Sequence, residues 1–167
     1  MSARPDSESI DGLTAGVIAG GAMMVAEMVM ARILGAPALS PIRLSSSIVI
    51  GPAALSETYP LVTALAVGIG AHLLLSVLFG TIAFQALALV GRRNSRAWAL
   101  LAFGLGYGGL LWAMNYLVVG TFVLRQFSAV DLLWNGAVPH VLFFGFVLGI
   151  CAAVGRPRPG GEPTTER

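Results

Sequence analysis

The sequence predicts an all-α integral membrane protein with four transmembrane helices, and three observations predict it. Hydrophobic residues make up 56% of the 167 and charged ones only 11%, where a soluble domain carries roughly a quarter. The mean hydropathy of +0.83 leaves too few polar side chains to cover a water-facing surface, which excludes a soluble globule and a disordered chain alike. The apolar residues also gather into four stretches, each reaching the about 20 residues that cross a hydrocarbon core of about 30 Å.

Taken in order, residues 1–11 form an N-terminal tail and 12–154 the membrane domain. The first span runs from about 12 to 34. Ala36-Pro37-Ala38 has the small residues of a signal cleavage site, but Asp6, Glu8 and Asp11 precede the span and Glu27 and Arg32 interrupt it, whereas secretory signals need a basic start and an uncharged core. An outer segment at 35–59 follows. In it Ser40-Pro41 starts a short helix and Gly51-Pro52 stops it, with Ile42, Leu44, Ile48, Val49 and Ile50 as its apolar surface. This helix is expected to lie on the outer face of the membrane or to cap the bundle. Tyr59-Pro60 opens the second span at about 61–90, the third covers 97–124, and Ser128 with Asp131 gives the fourth, 129–154, a start like a capping box. The Pro, Gly, Thr and Glu of 155–167 read as a disordered tail.

Orientation follows from the arginines, since short cytoplasmic segments are enriched in positive residues. All ten basic residues are Arg. Arg4, Arg92, Arg93, Arg96, Arg156, Arg158 and Arg167 fall on one side, against Arg32, Arg43 and Arg125 on the other. Both termini are therefore expected in the cytoplasm. A net charge of +2 spread over such ends gives no argument for nucleic acid, and the bilayer is the expected partner. The single cysteine, Cys151, lies in an apolar helix and excludes an intramolecular disulfide or a multi-cysteine metal site.

The two halves of the chain share a pattern. Gly16, Gly20, Gly21 and Glu27 of the first span recur with identical spacing as Gly104, Gly108, Gly109 and Asn115 of the third. Gly68 and His72 of the second recur as Gly136 and His140 of the fourth. The simplest account is a duplicated helical hairpin whose first copy carries the outer segment as an insertion, the copies being parallel and related by a pseudo-twofold axis along the membrane normal. Small residues permit the close backbone approach on which helix association in lipid depends. The candidate packing positions are Gly16 and Gly20 (with Gly12), Gly68, Ser76 and Gly80, Gly104 and Gly108, and Gly145 and Gly149 (with Ala153). They serve packing inside the bundle or contacts with a second copy or another membrane subunit. The run Gly104-Leu105-Gly106-Tyr107-Gly108-Gly109 follows no strand and lacks the lysine of a phosphate-binding loop.

Four polar residues stand out. Polar and ionisable groups inside a span normally face the bundle interior. Glu27 points within about 20° of Gly16 at 100° per residue, His72 lies between Gly68 and Ser76 on the small-residue face, Asn115 repeats the Glu27 position, and His140 follows Gly136 and Pro139. Counting from the span ends puts all four in the outer half, as one polar layer. Pro139 also removes the helical donor to the carbonyl of Asn135, which predicts a kink there. Three readings of the layer stay open. It is structural, with Glu27 and Asn115 bonding the two imidazoles. It is a ligand or ion site, with Glu27 and a histidine exchanging protons and the outer segment gating access. Or it is a divalent metal or haem b site, since His72, His140 and Glu27 are an adequate first shell.

Histidines on alternate helices beside glycine stripes resemble bis-histidine b-type cytochromes, which implies an electron-transfer subunit; here the likeness rests on His72 and His140. The chain also resembles a group of small bacterial inner-membrane proteins with four glycine-rich spans, on the runs Ala71-His72-Leu73-Leu74 and Pro139-His140-Val141-Leu142. That likeness implies topology and no activity. No Ser-His-Asp order, metalloprotease motif or paired-carboxylate signature is present, so nothing in the sequence supports a hydrolase.

Overall fold

The computed structural model describes residues 10–92, 95–129 and 132–155, and among them every regular element is helical. Four helices are long and apolar enough to cross a membrane, which fits a membrane-embedded protein. The first span is Gly12–Ile33, the second Leu61–Leu89, the third Ala97–Phe122 and the fourth Leu132–Val154. Between the first two lie a cap helix, Ser40–Ile50, and a 3₁₀ turn, Pro52–Leu55. Arg4, Arg93, Asp131, Arg156, Arg158 and Arg167 lie outside the described residues, as does the tail.

Local sequence explains the helix ends. The Asp11 carboxylate accepts a 2.7 Å bond from the backbone N–H of Thr14 and caps the first span. The first two spans end in the same Schellman geometry: Ala36 N–H bonds Ala31 O at 2.8 Å around Gly35, and Arg92 N–H bonds Leu87 O at 2.9 Å around Gly91. Both glycines have positive φ, 83° and 65°, the left-handed conformation that side chains resist. Ser40-Pro41 starts the cap helix, and Gly51, at φ 90°, ends it.

Packing follows the small residues. Gly12 and Gly16 of the first span lie against Gly80, Thr81, Ser76 and Val77 of the second, where a Cβ on Gly16 would come 2.9 Å from Val77 Cα. Gly104 and Gly108 of the third lie against His140, Gly145 and Gly149 of the fourth, where a Cβ on Gly104 would come 2.9 Å from Gly149 Cα. Each hairpin thus closes on its own seam, backbone against backbone. Between the hairpins the first span packs on the fourth, so the order in space is second, first, fourth, third. The third is tied to the second by the Tyr107 hydroxyl, which donates to Phe79 O at 2.8 Å. Ile10 packs on Gly155, so the described residues begin and finish at the same end of the bundle.

Gly68 does something different from the other seam glycines. It faces the Ile42 carbonyl of the cap helix and no span. The cap helix therefore takes the place beside the second span that the first span holds lower down, and the seam opens there. Arg43 clips this cap, donating to Ala54 O at 3.1 Å, Ser56 O at 2.8 Å and Tyr59 O at 3.5 Å.

The two halves differ in winding. The third span is π-helical over Ala113–Val119, and the fourth over Leu132–Ala137 and Pro139–Gly145. Where a kink is expected at Pro139, the helix is wound wider, which moves each carbonyl's helical donor one residue further on. The Tyr116 hydroxyl also reaches Asn135 O, at 3.4 Å.

Candidate functional site

Between the first span, the cap helix and the second hairpin lies a cavity of about 360 Å³ at the capped end. Met23, Glu27 and Ala31 of the first span form one wall, and Ser40, Pro41, Leu44, Ser45 and Ile48 of the cap helix form the roof. Asn115 and Tyr116 come from the π segment of the third span, Asn135 and His140 from those of the fourth, and Gln126 and Phe127 from the 3₁₀ turn between them. Most of this lining is apolar. The volume falls in the range of small-molecule sites, about 300–1,000 Å³.

Three of the four residues singled out in the sequence line this cavity, and each got there by its helix face. Glu27 is 7% exposed and has no hydrogen-bond or ion-pair partner among the described residues. Arg32, the nearest cation in sequence, is exposed and does not reach it. His140 is 4% exposed, and its Nδ1 lies 2.9 Å from Gly136 O. A carbonyl only accepts, so Nδ1 carries the hydrogen and Nε2 of the neutral ring is an acceptor. Asn115 Nδ2 donates to it at 3.3 Å. The Tyr116 ring meets the imidazole edge-on, with centroids 5.6 Å apart, and meets Phe127 at 5.8 Å. This locks the orientation of His140.

His72 does not join them. Its Nε2 donates to Gly20 O at 2.9 Å, and Ser76 Oγ donates to His72 O at 2.7 Å, both inside the seam of the first hairpin. Gly20 precedes Glu27 by two helical turns, about 10 Å at 1.5 Å per residue. His72 thus lies in the seam of the first hairpin, while Glu27, Asn115 and His140 line the cavity. The expected bond from Glu27 to an imidazole is absent among the described residues, while the one from Asn115 to His140 is present.

The same geometry bears on metal and haem. No group of three His, Cys, Asp or Glu side chains that could hold a metal ion occurs among the described residues. His72 Nε2 is engaged by Gly20 O, and the glycine faces that would flank a haem are filled by Ser76, Gly145 and Gly149. The residues present do not fit either group.

Sequence reasoning missed several participants. Asn135 lines the cavity, and its Oδ1 is buried with no hydrogen-bond partner among the described residues. Gln126 Nε2 donates to Ser47 O at 3.4 Å and Ser47 Oγ at 3.3 Å, tying the turn after the third span to the roof. The signal for Asn135 was its place four residues before Pro139. Gln126 carried none, because its role depends on where the cap helix lands. In comparisons of sequence and of fold, no family model matches the chain, and no curated protein or solved structure matches it.

Proposed function

We propose that the chain is a non-enzymatic protein of the bacterial inner membrane, with both termini in the cytoplasm, that binds a small ligand in the cavity beneath its outer cap. The observation that carries this reading is Glu27, a residue more than nine-tenths buried in a cavity wall whose carboxyl group has no partner among the described residues. A buried polar group without a hydrogen bond costs on the order of 1–3 kcal/mol, more when charged. A ligand that reaches Glu27 offsets that cost. The π segments at Asn115 and His140 support the same reading, because such windings concentrate at functional sites.

His72 has a structural role in this proposal, as the latch between the first and second spans. The duplicated, parallel hairpin is supported by the two matching seams, Gly16 on Ser76 and Gly104 on Gly145. The second copy has then diverged by π winding and the first by gaining the cap.

Thermal unfolding of the purified protein against a panel of small amphipathic compounds tests the cavity. Compounds that bind raise the unfolding temperature by mass action, about 2.7 kcal/mol of stabilisation at a hundred times Kd. Ser45→Trp, which fills the cavity from the roof, abolishes those shifts. Shifts that survive Ser45→Trp place binding elsewhere and refute the proposal.

A further inference from the structure

Tyr116, Gln126 and Asn115 each give a hydrogen to an acceptor of the chain, whereas the Glu27 carboxyl in the cavity wall has no hydrogen-bond or ion-pair partner among the described residues. No arginine lines the cavity among the described residues. What the site lacks is therefore positive charge to match its one carboxyl group. A bound anion would face Glu27 with like polarity. An alcohol supplies a donor and no charge.

A bare divalent cation is a poor match. Calcium takes about 6–8 oxygen ligands and magnesium a near-octahedral shell, and here a single carboxylate stands in a largely apolar wall. Met23, Leu44 and Ile48 call for an apolar body, and Tyr116 and Phe127 add aromatic rings, to which organic cations are attracted, to the lining. At close-packed density, about 0.74, a cavity of 360 Å³ holds on the order of a dozen non-hydrogen atoms. From this complementarity, and resting on the cavity reading above, we propose that the ligand is a small organic cation: an ammonium group on an apolar body, with Glu27 as its counter-ion.

Calorimetric titration of the full chain in lipid nanodiscs tests this with 4-phenylbutylamine and its isosteric neutral alcohol, 4-phenyl-1-butanol. The amine is expected to saturate one site and to bind about tenfold tighter than the alcohol, the scale of one partly desolvated ion pair. Glu27→Gln should bring the amine down to the alcohol's affinity and leave the alcohol unchanged, while Glu27→Asp, which keeps the charge, retains the preference. Equal binding of the two compounds to the wild-type chain, or a preference that survives Glu27→Gln, overturns the organic-cation assignment. In that event, saturable alcohol binding that Ser45→Trp blocks leaves the cavity reading standing. If neither compound saturates a site on the wild-type chain, the assignment and the cavity reading fail together. Should Glu27→Gln not fold, the wild-type ratio and Glu27→Asp decide.

Discussion

At the residue scale, His72 and Glu27 show how one rule, that polar groups in a span face inward, gives two outcomes. Both lie on small-residue faces, and both are more than nine-tenths buried. His72 meets the Gly20 carbonyl because Gly20 has no side chain to hold the helices apart, so its ring is satisfied within the seam. Glu27 sits above the point where the cap helix displaces the seam, so its carboxyl faces space. Replacing His72 by Ala removes a cross-helix bond, and the expected loss is about 1–2 kcal/mol of stability, read by denaturant unfolding of the purified protein. Ligand affinity of the folded fraction is expected to stay at the wild-type value. A loss of binding with stability unchanged would return His72 to the site.

At the element scale, the glycines divide by what they face. A Cβ on Gly104 would strike Gly145 and Gly149, whereas one on Gly106 meets nothing within 4 Å. Gly104→Ala should therefore lower stability by about 1–3 kcal/mol through overpacking of the seam. Gly106→Ala should raise it by up to about 1 kcal/mol through helix propensity. Paired thermal unfolding curves check both signs. Equal effects would mean that the third and fourth spans are not packed backbone to backbone. The spans themselves were readable in the sequence because crossing a bilayer demands length and hydropathy together, a requirement that few segments meet by chance. The seam positions were readable for a related reason, since close helix approach in lipid leaves few alternatives to Gly, Ala and Ser. The π segments were not, because widening a turn depends on the partner helix, and only Pro139 announced a departure.

At the scale of the whole molecule, what the sequence could not show was relative height. Helical periodicity gives the direction in which Glu27, His72, Asn115 and His140 point around their axes, but the vertical offset between helices depends on how seams slide together. Counting from span ends put all four at one depth, but His72 is held in the first seam by Gly20 O and does not line the cavity. The cavity was equally hidden, since it lies where the cap helix, seated on Gly68, meets the first span and the second hairpin. One insertion within the first hairpin thus roofs a chamber, and a residue facing it is the carboxyl group that the sequence had already marked.

In the proposed function Glu27 faces a chamber reached from outside the cell. Cys151 is the chain's one cysteine and is buried, so a Cys151→Ser background allows single thiols to be placed at will. With Glu27→Cys in that background, a membrane-impermeant methanethiosulfonate carrying a trimethylammonium group is added to intact cells. The expected result is modification from the outside, blocked by Ser45→Trp, with no modification when the thiol is placed by Gly20→Cys or His72→Cys. A thiol at position 27 that is inert, or reacts only when the reagent is given the cytoplasmic face, would mean that Glu27 faces no chamber open to the outside.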